Sequence, residues 1–112
     1  MQVSKADWKL FRERVGGWQE HYMEGLLKQY VELLTTPGQA SAHFWELEKR
    51  IRKDKRHPGV LLALNKSQTV WDIARFVQEG IITTDDLEGF STELIDAVKE
   101  IVNRWNTEVD DE

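Results

Sequence analysis

The chain has 112 residues, of which 40% are hydrophobic and 31% charged, with two prolines, a composition typical of a compact soluble domain. We expect a single helical domain over residues 1–106 and an acidic, disordered tail over residues 107–112. The absence of cysteine excludes disulfide scaffolds, thiolate zinc sites and cysteine nucleophiles. The longest apolar run, residues 60–64, is too short to span a membrane, and residues 1–10 lack a signal-peptide core. These features predict a cytoplasmic protein without a membrane partner.

The first predicted helix begins at Ser4, whose side chain can cap it, with Asp7 three residues later. Trp8, Phe11 and Val15 form a short apolar stripe on this helix. Gly16 and Gly17 follow the stripe and indicate either a kink or the end of the helix, and we favour an end.

The second predicted helix covers residues 18–34, before the Thr-Thr-Pro-Gly segment at 35–38. Its apolar face is wider than one neighbouring helix requires. The helix is therefore either central in the fold or packed against a second copy of the protein. For self-association we single out four residues of this face: Tyr22, Met23, Leu26 and Tyr30.

The third predicted helix starts at a Ser41 cap and reaches about Arg56, with Phe44, Leu47 and Ile51 facing inward. His57-Pro58-Gly59 ends it, because the residue before proline disfavours the helical conformation.

The region after Pro58 is predicted to form a fourth helix, or two helices joined at a kink near residues 65–67, ending at Gly80. Residues 84–87 indicate a short capped helical turn, and Ser91 can cap the last helix. The sequence thus predicts an all-α protein, a helical bundle of four main helices plus short helices.

Charge is distributed unevenly along the chain, whose net charge is −5. Residues 1–78 carry 13 Lys and Arg against 9 Asp and Glu, whereas residues 79–112 carry 2 against 11. Such a division suggests pairing of the two regions, head-to-tail self-association or a polarised surface that steers a charged partner. Helices that simply expose mixed charge are the other interpretation.

The densest group of cations lies in residues 49–56. Lys49, Arg52, Lys53 and Arg56 share one helix face by their spacing, and such a stripe can contact phosphates or an acidic partner. Cations at a helix C-terminus also complement the helix dipole, and Glu48 can pair with Arg52, so a purely structural role is the alternative.

Two pairs, His21-x-x-Glu24 and His43-x-x-Glu46, each place an imidazole and a carboxylate on one helix face. Their order is the reverse of the Glu-x-x-His motif of di-metal bundles, and we interpret them as solvated side chains. The sequence has no Gly-x-Ser-x-Gly, no glycine-rich phosphate loop and no His-Glu-x-x-His. We therefore predict no cofactor, no metal site and no catalytic residues.

Three stretches, residues 11–34, 44–60 and 80–98, together resemble a group of short, uncharacterised proteins of Gram-positive bacteria. The resemblance implies a bacterial, cytoplasmic, stand-alone helical protein. It brings no function and no functional residues with it.

The function that these observations favour is that of a non-catalytic interaction or regulatory protein, acting as a homodimer. Five tryptophans in a short chain, the wide apolar face and the divided charge support it. Whether the tryptophans lie in the core or at an interface is left open. The alternative is a nucleic-acid-binding or anion-binding protein that uses the basic residues of 49–56.

Overall fold

The computed structural model describes residues 2–110, with side chains to residue 107, and the described chain is all-α without strands. Four α-helices account for most of it: α1 (Lys5–Thr35), α2 (Ala40–Asp54), α3 (Thr69–Gln78) and α4 (Thr92–Asp110). Short 3-10 turns cover Lys66–Gln68 and Thr84–Leu87. The predicted helical class and the number of main helices are confirmed. Within the described residues, no helix has the length and apolarity that crossing a membrane requires.

The expected break at Gly16 and Gly17 is wrong, because α1 continues through both glycines as one helix of 31 residues. Neither glycine has a positive φ. Glycine in a helix costs about 1 kcal/mol relative to alanine, which neighbouring contacts can offset. The apolar residues on the two sides also keep one helical phase: Phe11 and Val15 are followed at helical spacing by Trp18 and Tyr22.

The expected helix after Pro58 is also wrong for its first half. Residues 58–60 form turns, residues 61–65 have no regular structure, and α3 starts only at Thr69. The Asn65 side chain accepts a hydrogen bond from the Ser67 backbone N–H at 3.1 Å, which starts the 3-10 turn there. At the other end of α3, Gly80 has a φ of +73°, which confirms the predicted glycine cap.

The chain divides into two compact units, one made of the chain up to Gly16 and again from Ala63, the other of Gly17–Leu62. The first unit holds nearly all buried apolar side chains. Those without any exposure are Phe11, Ile73, Ala74, Phe76, Leu87, Leu94 and Val98. Burial of this number of large side chains, each contributing about 1.5–3 kcal/mol, makes this unit the better packed of the two.

A buried carboxylate joins the start of α1 to the start of α4 within the first unit. Asp7 is 3% exposed and accepts hydrogen bonds from the Ser91 backbone N–H at 2.9 Å and the Ser91 hydroxyl at 2.6 Å. The Ser91 hydroxyl oxygen in turn accepts from the Leu94 N–H, which confirms Ser91 as the N-cap of α4. The negative charge of Asp7 therefore lies where the dipole of α4 favours it.

Arg14, two turns along α1, fastens the loop before α4. Its guanidinium donates to the carbonyls of Asp86 at 3.1 Å and Glu88 at 2.6 Å, and lies over the Phe90 ring. The preceding turn is closed by a capping box between Thr83 and Asp86, so the predicted capped turn is confirmed.

The backbone of α4 remains helical to Asp110, so the helix runs into the region that we expect to be an acidic tail. Asp111 and Glu112 lie outside the described residues, and that expectation stays a prediction for them.

Replacement of Gly16 and Gly17 by alanine tests the continuity of α1. Because a Cβ at either position has no atom within 4 Å and both residues are helical, each substitution is expected to raise the unfolding free energy by about 0.5–1 kcal/mol. Gly80→Ala is the matched control: its positive φ predicts a loss of about 1–2 kcal/mol. Urea denaturation measures all three, and destabilisation by Gly16→Ala and Gly17→Ala would contradict a continuous helix.

Removal of the Asp7 carboxylate is expected to lower the unfolding free energy by about 2–3 kcal/mol. The substitution Asp7→Ala deletes two hydrogen bonds to a charged acceptor and leaves the Ser91 backbone N–H without its partner. Asp96→Ala, at an exposed position of α4, is the control and should change stability by less than about 0.5 kcal/mol. Equal effects of the two substitutions in urea denaturation would contradict the role assigned to Asp7.

Candidate interaction surfaces of the helical hairpin

Residues 17–62 form a helical hairpin, in which the second half of α1 runs antiparallel to α2. Polar contacts hold the two helices together along their length. The Arg50 guanidinium donates to the Gln29 side chain at 2.8 Å, and the Tyr30 hydroxyl donates to the Asp54 carboxylate at 2.5 Å. Arg50 also lies over the Tyr30 ring, 5.7 Å from its centroid. These contacts show that Arg50 and Asp54 mark the side of α2 that faces α1.

The turn after α2 packs onto α1. The Gln19 side chain donates to the Pro58 carbonyl at 2.9 Å, and the Tyr22 ring stacks on the His57 imidazole at 4.6 Å. A Cβ at Gly59 would overlap the Tyr22 ring, so the close approach requires glycine at this position.

The hairpin buries few apolar side chains. Leu26 is its single buried hydrophobic side chain among the described residues, and α2 contains no buried residue. The expectation that Phe44, Leu47 and Ile51 face inward is therefore wrong for two of them, since Phe44 and Ile51 are exposed and Leu47 is half-buried. The reason is geometric: polar residues, Arg50 and Asp54, occupy the side of α2 toward α1.

An uncovered apolar surface lies on one side of the hairpin, and we call it the hairpin face. Leu27 and Val31 of α1 are each 60% exposed and Phe44 of α2 is 62% exposed, with Leu34 and Ile51 completing the face. Leu27, Val31 and Leu34 are spaced i, i+4 and i+7, which places them along one stripe of α1.

A groove with a volume of about 330 Å³ runs along the hairpin face, between α1 and α2. Most of the side chains that line the groove are apolar or aromatic: Met23, Leu26, Leu27, Tyr30, Ile51 and Val60. The charged side chains that line it are Glu20, Asp54 and Lys55. A second hollow, about 280 Å³ in volume, is lined partly by Phe44 and Leu47 and shares Ile51 and Lys55 with the groove. The apolar surface is therefore continuous from α1 across Ile51 to Phe44.

Burial and the neighbouring carboxylate of Asp54 raise the pKa of Tyr30 to about 12. Burial of the hydroxyl is the larger cause, and the hydrogen bond to Asp54 adds to it. The hydroxyl therefore stays protonated, as a donor, throughout the physiological pH range.

The four residues predicted for self-association lie mostly on the inner side of this surface. Leu26 is buried, Tyr22 is stacked on His57, and Met23 and Tyr30 are half-buried in the wall of the groove. The more exposed apolar residues are their neighbours at Leu27, Val31 and Leu34. Periodicity reveals the width of the apolar face of α1, but not which part of it α2 covers.

The predicted basic residues, Lys49, Arg52, Lys53 and Arg56, are all exposed at the C-terminal end of α2 and just beyond it. Arg52 pairs with Glu48, as its i, i+4 spacing predicts. Within the described residues, no carboxylate pairs with the other three. Trp45 is one of the five tryptophans that the sequence leaves open between core and interface; it is 64% exposed and lies four residues before Lys49.

The two His-x-x-Glu pairs do not meet. His21 and Glu24 are exposed, with 4.0 Å between imidazole and carboxylate, whereas His43 lies 3.4 Å from the Thr36 hydroxyl. Across residues 2–110 as described, no group of three or more His, Asp and Glu side chains could hold a metal ion.

One further carboxyl has a shifted pKa. Burial raises the pKa of Asp72 in α3, and the Arg75 guanidinium partly offsets this. One of its carboxylate oxygens is buried and has no hydrogen-bond partner among the described residues. The ionised Asp72 carboxylate therefore lowers the stability of the fold, because packing around α3 removes it from water.

Comparison of the chain with family models, curated proteins and solved structures finds no match.

The raised pKa of Tyr30 predicts that this tyrosine ionises at a higher pH than an ordinary tyrosine. The difference between alkaline absorbance titrations of the native chain and of Tyr30→Phe isolates this group, whose midpoint should lie near pH 12. Because the folded pKa exceeds the unfolded value of about 10, the stability that the protonated hydroxyl provides is fully present below pH 10. It is lost between about pH 10 and pH 12.

Asp54→Asn, which removes the carboxylate charge, should shift the midpoint of Tyr30 toward 10. Circular dichroism at each pH verifies that the helices persist. A midpoint near 10 in the folded native chain would contradict the geometry assigned to Tyr30 and Asp54.

Proposed function

We propose that the protein is a non-catalytic, cytoplasmic interaction protein that works as a homodimer, in which the hairpin faces of two copies pack together. The observation that carries the proposal is the exposure of five large apolar side chains on one side of a hairpin that buries only Leu26 among its own hydrophobic residues. An apolar helix face must be covered by another element for a stable fold. Contiguous apolar patches of this kind mark protein interfaces.

A second copy of the chain suits this face for two reasons. Two antiparallel helices with a shared apolar side form half of a four-helix bundle, which a two-fold axis can complete. Two-fold dimers use the same patch on both subunits, so an interface made mostly of Leu, Val, Ile and Phe side chains is complementary to itself.

The polar groups of the groove also tolerate such an interface. Tyr30 and Asp54 satisfy each other within the chain, so burial between two copies leaves neither without a partner. The charged residues of the groove, Glu20, Asp54 and Lys55, give it a net charge of −1 in each copy, and its mixture of signs allows opposite charges to meet across a two-fold axis.

The non-catalytic part of the proposal is supported by the sequence, which carries none of the nucleophile, phosphate-loop or metalloprotease motifs tested above. The bacterial origin implied by the resemblance stays a prediction.

Substitution of Val31 tests the proposed dimer. Val31→Lys puts a charge on the hairpin face, where burial without a partner is costly, and should weaken dimerisation at least tenfold. Sedimentation equilibrium measures the dissociation constant, with the native chain expected to reach twice the 13.1 kDa monomer mass. High salt should leave the native dimer intact, because apolar contacts are not screened.

The matched control is Glu32→Lys, which adds the same side chain one residue further along α1, at an exposed position off the hairpin face. It should leave the dissociation constant within a few-fold of the native value. A native chain that stays monomeric at high concentration, or equal weakening by the two substitutions, would overturn the proposal.

A further inference from the structure

We propose that the outer side of α2 binds single-stranded nucleic acid, with Trp45 stacking on a base and the basic residues contacting phosphates. We define the outer side of α2 by Trp45, Lys49, Arg52, Lys53 and Arg56. This site borders the hairpin face: the Trp45 ring contacts the Phe44 ring edge to face, with 5.0 Å between centroids, and Arg52 lines the hollow beside Phe44 and Ile51. The proposed contacts to a single strand come from one copy and do not require the dimer.

Helix geometry brings the indole and the cations together. Lys49 and Arg52 follow Trp45 at i+4 and i+7, the spacing of residues on one side of a helix, and Lys53 flanks them. Arg56 lies in the turn just after α2. Arg50 and Asp54 point to α1, so the outer side faces away from the rest of the hairpin. A helix rises 1.5 Å per residue, so the helical part of this side, from Trp45 to Lys53, extends about 12 Å.

The charge of this segment suits a polyanion. Residues 49–56 contain six Lys and Arg and a single acid, Asp54, whose carboxylate is turned inward to Tyr30. Glu48 forms an ion pair with Arg52. Among the described residues, no carboxylate pairs with Lys49, Lys53 or Arg56. Three to four cations in a row therefore remain available to displace the counterions of a phosphate backbone.

Trp45 distinguishes a single strand from the other polyanions. Its indole is 64% exposed, although tryptophan is usually well buried. Proteins that bind single strands combine a basic track with aromatic side chains on which bases stack. The bases of a duplex are already stacked on each other and cannot reach the ring. A helix lying in a membrane surface would place its cations opposite its aromatic residues, whereas here they surround the indole.

The direct test is fluorescence anisotropy with a labelled ten-nucleotide oligothymidylate, titrated with the full chain at several salt concentrations. Binding should weaken with salt at a slope of about −2 to −3 on a log–log plot, since each neutralised phosphate of a single strand contributes about 0.7. Trp45→Ala should weaken binding about 5-fold to 100-fold at constant slope, because it removes stacking and no charge.

Charge reversal separates the two components of the site. Arg52→Glu together with Lys53→Glu should abolish measurable binding, whereas Lys28→Glu, at an exposed position of α1, should weaken it only slightly. Trp71→Ala is the aromatic control, because Trp71 is half exposed but belongs to α3, and it should leave the affinity unchanged.

Three results would overturn the proposal: no binding of the oligonucleotide at low salt, an unchanged affinity for Trp45→Ala, or equal affinity for a ten-base-pair duplex. Preferred binding to vesicles of phosphatidylserine and phosphatidylcholine would assign the site to a membrane surface instead. Sedimentation of the single variant Lys53→Glu, at a position that lines neither hollow of the hairpin face, should show the native dimer, and Val31→Lys should still bind the oligonucleotide. A failure of this proposal is thereby distinguished from a failure of the proposed dimer.

Discussion

The need to cover the apolar side of a two-helix hairpin is the constraint on which the account of function depends. In residues 17–62, polar contacts, Arg50 to Gln29 and Tyr30 to Asp54, set the orientation of α2. In most helix pairs, apolar side chains fill the space between the two helices. Here several of them project to one side, and Val31 and Phe44 remain largely exposed. Because net stability of a domain is only about 5–15 kcal/mol, an uncovered surface of this kind is a substantial loss that an additional partner can recover.

The other unit, made of the chain up to Gly16 and from Ala63 on, has a buried apolar core of its own. Phe11 is fully buried, and Asp7 and Arg14, two turns apart on α1, make hydrogen bonds to the segment before α4. Buried polar groups are satisfied there, and the apolar side chains of α3 and α4 fill the interior. The contrast between the two units is the reason why we assign the proposed interactions to the hairpin, whose apolar face adjoins the basic outer side of α2.

Local signals in the sequence predict much of this fold. The caps at Ser91 and Gly80 and the turn at residues 84–87 follow from short-range hydrogen bonds and backbone preferences, and all three are confirmed. The break at Gly16 and the helix after Pro58 were wrong because tertiary contacts and helical phase outweigh the preference of a single residue.

The interaction surfaces depend even more on tertiary structure. Periodicity identifies an apolar face on α1, but the side that α2 occupies is decided by Arg50 and Asp54, which no pattern in one sequence marks as inward. The basic residues could be found from spacing alone, whereas the exposure of Trp45 could not, because an aromatic residue in a helix is ordinarily assigned to the core. The i, i+4 spacing of Trp45 and Lys49 indicates that the two side chains share a helix face, but not that this face is exposed.

The central claim, that a second copy covers the hairpin face, is tested most directly by spin labelling. The chain has no cysteine, so Val31→Cys provides a unique site for a nitroxide label at the edge of the face, with Glu32→Cys as the label position off it. Pulsed dipolar spectroscopy of the native fold should show a defined intermolecular distance for both labels, shorter for position 31 than for position 32. A decay without intermolecular coupling at either position, in protein shown to be folded, would contradict the account.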